Sequence, residues 1–501
     1  MKPLTVILSL VSMTVLAACA AAPPVPRLNV ALPPAFQNGG EIAATPAGTT
    51  DAEWWIGFHD PLLTRIIDRA LTGSTDVATA AARIDVARAA VAQAGAALAP
   101  QVALGASAAR VHDSRLSPFG EAAHIAGLPR DYETYSLGPQ ASWELDLFGG
   151  LRHARRAAVA VAEAAVISDA AVRLAIAAEA ADAYLDLRGL QAQLQLLEQQ
   201  EDTQSRLLEL VRLRVLQGVS ADRDQQRATA DLERVRALKP ALRGGIDAQI
   251  YRLDVLMGAP AGTHLRELQE PRAQPLVPLP TGDASPAGLL RRRPDIVVAE
   301  RHLAAATARI GAARAEYYPH LSFSGLAGFE SVDAGRLFET PAQQGAALLG
   351  LRWRLFDFGR IDAELAIAHG HEAEALAAYR GTVLQATADV ETALSRFAQS
   401  RSEAAVLSRQ IATLTLARDE AQSAFEGGVV PLSEVLDADR DLLAARTQLA
   451  TANANQARAA VASFRSLGGG WAGISSSTAA QSSAMRPGRL TLAGAGGYPP
   501  R

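Results

Sequence analysis

Two stretches of about 68 residues, 150–217 and 359–427, contain no proline and few glycines. At 1.5 Å per residue a continuous helix of that length extends about 100 Å, whereas amphipathic core helices seldom exceed about 25 residues. In the second stretch Leu407, Ile411, Leu414, Arg418, Ala421 and Phe425 recur at alternating spacings of four and three. In the first, Leu190, Leu194 and Leu197, then Leu208, Val211 and Val215, follow the same rule with interruptions. Such a pattern is a coiled-coil seam. Alanine is frequent and aromatics are only 5% of the 501 residues, which favours close helix-on-helix packing over a bulky sheet core. Gly218 and Gly428 suit the left-handed residue that ends a helix, and Ser220 or Val430-Pro431 can start the returning one. The chain is therefore expected to fold two long helical hairpins.

The hairpins are copies of one plan. At an offset of 210 residues Trp143 matches Trp353, Phe148 matches Phe358, Gly149 matches Gly359, Leu197 matches Leu407, and Gly218-Val219 matches Gly428-Val429. Each half reads as strand, loop, strand, very long helix, tight turn, returning helix. The expected repeats are 61–283, with a β-hairpin about 101–146, and 284–465, with a β-hairpin about 320–356. In 135–145, Tyr135, Leu137, Pro139, Ala141, Trp143 and Leu145 alternate with Ser136, Gly138, Gln140, Ser142 and Glu144. In 347–355, Ala347, Leu349, Leu351, Trp353 and Leu355 face away from Gly350, Arg352 and Arg354; partner strands are expected at 101–110 and 320–330. Half-buried strands of a soluble sandwich would alternate in the same way. With only four strands, and a secretory start described next, a membrane sheet is the better fit.

The start carries one positive charge, Lys2, and an apolar run from Leu4 to Leu16. That run is too short to span a bilayer and reads as a secretory signal, 1–18. No later stretch offers the roughly 18 to 20 apolar residues of a transmembrane helix, so membrane insertion would have to use strands. Cys19 is the only cysteine, which excludes an intramolecular disulfide and cysteine-based metal sites. Leu16-Ala17-Ala18-Cys19 resembles a bacterial lipobox, implying a lipidated Cys19; an ordinary signal peptide with an incidental cysteine is the other reading. By resemblance to other lipoproteins, Ala20 after the cysteine favours the outer membrane. Residues 19–60 read as a tether, with Pro, Ala and Gly richest from 20 to 50. Asp60-Pro61 reads as a helix start, as does Ser74 or Thr75 for a helix running to about Leu98. From 466 to 501 a flexible tail is expected.

The 48 basic and 52 acidic residues leave a net charge of −4, so no global field favours nucleic acid. His369 and His371 point to different faces of one helix and make a poor metal pair. No phosphate-binding loop or nucleophile elbow is present. No enzyme, cofactor or metal site is expected.

One stretch is similar to a known family in detail. Between Leu289 and Gly325, Arg292-Arg293-Pro294-Asp295-Ile296, Ala299-Glu300, Ile310-Gly311 and Pro319 resemble the TolC-like outer-membrane efflux channels, in the OprM-like or NodT-like lipoprotein branch. Trp54-Trp55, Phe58, Asp60-Pro61, the run from Trp143 to Gly149, Phe356-Asp357-Phe358-Gly359 and Leu467-Gly468-Gly469-Gly470-Trp471 match as well. The tip at Gly218-Val219-Ser220 departs, lacking the leucine-rich run that usually follows it. The resemblance implies a mainly α fold with a membrane β-barrel: three chains, four strands each, closing a 12-stranded barrel continued by a coiled-coil periplasmic tunnel. It implies a passive exit duct in the bacterial outer membrane, fed by a periplasmic adaptor and an inner-membrane pump of the RND type. Adaptor contacts would fall at the tips, Gly218, Val219, Ser220, Gly428, Val429 and Val430. Other readings are the channel of a type I protein secretion system, or a periplasmic coiled-coil adaptor.

In the arginine-rich motif, Arg292, Arg293, Pro294, Asp295 and Glu300 read as structural: Pro294 preorganises a helix start, Asp295 suits its positive end, and the arginines anchor carbonyls or carboxylates. Glu434, Asp437 and Asp441 are spaced three and four apart, so they share a helix face. By family position Glu434 and Asp437 correspond to an acidic periplasmic gate, in which three chains would gather at least six carboxylates. Acids near a helix start also favour the dipole without any gate. Their first-repeat counterparts, Asp224 and Arg227, are expected to pair across to them.

Overall fold

The structure is a computed structural model that describes residues 26, 32–41, 43–44, 51–282 and 285–469. Cys19 and the expected signal lie outside the described residues, as does the tail from 470 onward. The chain forms two compact units, and each takes segments from both sequence repeats. One, the sheet unit, holds 82–165 and 298–381; the other, the helical unit, holds 31–81, 166–297 and the chain from 382.

The sheet unit is built on four antiparallel strands in the order β2 (Gln101–His112), β3 (Asp131–Leu145), β5 (His320–Ser331), β6 (Gln343–Arg352). Register puts like with like. Val102 lies opposite Ala141, Trp143 opposite Phe323, and Phe323 opposite Leu349. The alternation of single strands thus merges into one apolar face four strands wide, most of it exposed: Leu104 is 74% and Leu349 64% accessible. The opposite face carries Ser107, Gln140, Ser142, Ser322 and Ser324, and also Leu326 and Leu348. Between β3 and β5 the pairing is interrupted at Gly138-Pro139, where Pro139 has no N–H to donate and where a Cβ on Gly138 would stand 2.1 Å from the Ala327 carbonyl oxygen.

β6 ends at Arg352, so Trp353 and Leu355 lie beyond the strand expected to contain them. The Trp353 indole instead donates to the Tyr317 carbonyl (3.0 Å), as the Trp143 indole does to the Leu98 carbonyl (2.9 Å). Those two carbonyls are 219 residues apart and the tryptophans 210. Most of the difference falls in the strand connections, 113–130 in the first hairpin against 332–342 in the second, and the rest in the longer β3; the first connection holds a short helix, Pro118–Ile125.

In the helical unit, α1 (Pro61–Gly73) starts where Asp60 accepts from the backbone N–H groups of Leu62 (2.8 Å) and Leu63 (3.2 Å). The same carboxylate takes the Tyr184 hydroxyl (2.5 Å), and burial first, then this bond, pushes that phenol up to about 12. After α2 (Thr75–Ala96) and α3 (Pro118–Ile125) come α4 (Gly150–Leu216) and α5 (Asp222–Leu256). The short α6 (Leu265–Leu268) and α7 (Pro286–Arg292) precede α8 (Pro294–Ala315), α9 (Arg360–Glu426) and α10 (Leu432–Ser466). α4 and α9 are each 67 residues, α5 and α10 each 35, and both pairs start 210 residues apart. No described helix is long and apolar enough to cross a membrane. The core joins Trp54, Trp55 and Phe58 to Leu62, Ile66, Tyr184, Ile250, Phe397 and Phe464, with alanines between them.

Three expectations are corrected. The described part of the tether is not all loose: Phe36 is buried, the Gln37 amide donates to Glu391 (2.7 Å), and Ala43-Ala44 (β1) pairs in parallel with Thr281-Gly282 (β4), two strands beyond the four foreseen. The tail begins later than 466, because Leu467 is buried and Gly468-Gly469 close the end of α10 against the backbone of Arg465 and Phe464. The returning helices begin after Ala221 and Pro431, so Ser220 lies outside α5 and Pro431 is the cap residue of α10.

Candidate functional site: the hairpin tips and the acidic stripe

Both tips close in the same way. Gly218 has φ +73° and Gly428 φ +76°, the left-handed conformation that lets the next amide reach back to the last turn. Val219 N–H donates to the Arg214 carbonyl and Val429 N–H to the Ala424 carbonyl, both at 2.8 Å. Val219 and Val429 are left exposed at 62% and 80%, while Val430 packs on the cluster of Leu207, Leu208, Val211, Leu232, Phe425 and Val435 beneath the tips. Ser220 is half-buried. Arg214 joins the hairpins: its guanidinium donates to the Phe425 carbonyl (3.0 Å) and lies 4.5 Å from the centroid of that ring.

Past the second tip, Glu434, Asp437 and Asp441 are all exposed on α10, while Val435, Leu436, Asp439 and Leu442 of the same helix are buried. The expected pairing to Asp224 and Arg227 is not made within the chain. Asp224 accepts from its own helix start, the Ala221 amide (3.4 Å), and lies 3.9 Å from Arg223; Arg227 is exposed and has no ion pair among the described residues. Asp437 is paired by Arg440 (2.8 Å), one turn along its own helix, and Arg440 also grips both carboxylate oxygens of Asp231 on α5 (3.0 Å each). Arg234 completes Asp231, which is 4% exposed.

Beside this lies a second buried acid, Asp439. It is 3% exposed and accepts from Arg418 Nε (3.0 Å) and Gln204 Nε2 (3.4 Å). Burial pushes its carboxyl above the usual range, and the Arg418 bond opposes that. Sequence reading missed Arg214, Arg440, Asp231 and Asp439, but two signals were there. Arg418 sits in an otherwise apolar seam and so requires a buried partner, and Asp231 stands 210 residues before Asp441.

The arginine-rich motif lies elsewhere in the helical unit. Arg293, with a side chain 11% exposed, holds both oxygens of Asp295 (3.0 and 2.7 Å), Asp389 of α9 (3.0 Å), and the carbonyls of Ala386 (3.3 Å) and Ser466 (3.4 Å). It therefore ties the start of α8 to α9 and to the end of α10. Arg292 is exposed but its carbonyl sits where a Cβ on Gly468 would meet it at 2.7 Å. Pro294 opens α8. Glu300 is half-buried in the sheet unit, near enough to Tyr379 to add to the effect of burial in raising that phenol.

A family model described as outer membrane efflux protein matches residues 66–259 and 286–469. OpmQ of Pseudomonas putida, a pyoverdine export outer membrane protein, is 31% identical over 464 residues, covering 91% of this chain and 95% of its own. OprJ, an outer membrane protein of Pseudomonas aeruginosa, is 29% identical over 94% of this chain and 97% of its own. Among solved structures, the outer-membrane channel OprN aligns with a TM-score of 0.82 at 30% identity, covering 90% of this chain and 100% of that one. The open state of the Neisseria gonorrhoeae MtrE outer membrane channel aligns at 0.78 and 26%, covering 90% and 99%.

Proposed function

The chain belongs to the outer membrane efflux protein family, and from that membership we propose that it is the passive outer-membrane exit duct of a tripartite efflux system. The observation that carries this is the sheet: four strands, an exposed apolar face, and outer edges on β2 and β6 that pair with nothing among the described residues. Unpaired strand edges are not tolerated in hydrocarbon, and four strands are too few to close a barrel. Three chains supply twelve strands, with β6 of one joined to β2 of the next. Cys19 carries the lipid that anchors the duct at the membrane.

The helical tips meet a periplasmic adaptor through Gly218, Val219, Ser220, Gly428, Val429 and Val430, and an inner-membrane pump of the RND type supplies the energy. Within the duct, Glu434, Asp437 and Asp441 line the resting constriction. Their exposure on the side of α10 away from its packed residues supports this. Like charges brought together resist full ionisation and attract cations. Asp437 is partly neutralised by Arg440, so Glu434 and Asp441 carry more of the field.

Replacing Glu434 and Asp437 by Ala together tests the reading in planar bilayers. The variant should show a higher resting conductance and weaker cation preference than the parent, because a bias of about 1.4 kcal/mol changes a rare open population roughly tenfold. Arg440 keeps Asp231 in the variant, so assembly should persist. Unchanged conductance and selectivity would place the constriction elsewhere.

A further inference from the structure

The helical unit holds a groove of about 600 Å³ between α4, α5 and α10. Its walls are apolar, with Leu197 of α4, Val235, Leu238 and Leu242 of α5, and Leu443 of α10. Leu238 is half exposed, whereas Leu197 and Val235 beside it are buried. Size and lining are those of a small-molecule site. Asp231, Arg234 and Arg440 also line the groove, but they satisfy one another, and no unpaired buried charge calls for an ion.

One polar group in the groove is unsatisfied. Gln204 is 2% exposed, and its Oε1 has no hydrogen-bond partner. The orientation of the amide is set by Asp439, a carboxylate that takes only donors: Nε2 must face it, at 3.4 Å, which leaves the oxygen as the free end. A buried carbonyl oxygen without a donor is unfavourable, so a ligand that donates to it gains more than its apolar contact alone. The duplication does not reproduce this arrangement, because 210 residues on Gln204 becomes Leu414 and Arg234 becomes Ala444.

We propose that this groove binds a small, uncharged, apolar molecule bearing one hydrogen-bond donor, whose hydroxyl or N–H is given to Gln204 Oε1 while its body lies on the leucines. The site is one per chain and does not depend on where the duct is constricted.

The test compares 1-naphthol with 1-methoxynaphthalene, which has the same rings and no donor, by calorimetric titration of the full-length protein in lipid nanodiscs, with empty nanodiscs subtracted. Saturable binding is expected, with 1-naphthol tighter by about five- to tenfold, the worth of one net hydrogen bond. Gln204→Leu should bring the two ligands within about twofold of each other while both still bind. Ala444→Phe, placed at an exposed position on the groove lining and so compatible with folding, should abolish saturable binding of both. Parent binding no greater than that of Ala444→Phe would overturn the proposal, as would a preference for 1-naphthol that survives Gln204→Leu. Should Gln204→Leu fail to assemble, the comparison of parent with Ala444→Phe decides alone.

Discussion

Arg293 shows how much one side chain can hold when its neighbours are placed for it. Its flat guanidinium meets two carboxylates, a carbonyl within α9 and the last carbonyl of α10 at once, an arrangement that the single ammonium of lysine cannot reproduce. Arg293→Met should cost about 3 kcal/mol, the lower end for breaking a buried pair, because both carboxylates keep some solvent. Arg293→Lys should recover only part of it, measured as loss of helical signal in guanidinium. Asp439 gives a pH signature of defined sign. A carboxyl whose pKa is raised by burial binds its proton more tightly in the folded chain, so folding takes up a proton and acid favours the folded state through this group. The stability of the parent relative to Asp439→Asn should therefore rise as pH falls from 7 through the folded pKa towards the ordinary carboxylate range. A fall over that interval would mean that the Arg418 pair outweighs burial. Of these residues only Arg293 was read from the sequence, because a family motif marked it. Asp439 lies in a helix rich in acids, and its spacing from Leu432, Val435 and Leu442 puts it on the apolar face, but nothing local names the partner it meets there.

At the level of elements, the long helices and their ends were legible because they depend on neighbours in sequence. Proline-free runs, seam spacing and a glycine at each turn are local signals, and α4 and α9 begin and end within a residue or so of the expected limits. The tip glycines allow a clean measurement. Nothing lies within 4 Å of a Cβ built on Gly428, whose φ is +76°, so Gly428→Ala should cost only the backbone strain, about 1 kcal/mol. That cost should appear as a modest drop in unfolding temperature with assembly intact. A Cβ at Gly138 would instead collide with strand β5, so comparing the two variants separates conformational strain from close approach. The strand ends were less legible. β6 stops before Trp353 because its partner β5 begins at His320, opposite Arg352, and the Trp353 indole meets the Tyr317 carbonyl beyond it, a contact made across 36 residues that no alternation pattern contains.

For the whole molecule, the sheet sets the assembly. Three chains of 52.5 kDa come to about 158 kDa, less the signal peptides and plus any lipid. Native mass spectrometry in detergent should give that mass, since each chain leaves two strand edges to be paired. A stable, conducting monomer would contradict the twelve-stranded barrel. The same spectrum should show the lipid on Cys19; an unmodified N-terminal thiol would remove the anchor and leave the barrel argument standing.

The sequence by itself determined the duplicated plan, the coiled-coil hairpins with their glycine turns, the alternating strands and the family, since each is written in spacing or in contiguous motifs. Only the tertiary structure decided which charges are partners. Arg440 with Asp231 and Arg214 with Phe425 join helices distant in sequence, Arg418 with Asp439 joins the two arms of one hairpin, and the expected link from Arg227 to the acidic stripe is not made within the chain. The physical reason is that helix periodicity fixes the face on which a residue lies but not the neighbour that face meets. Which acid is buried and paired, and which is left to the solvent, follows from the rotation and packing of helices that the sequence specifies one at a time.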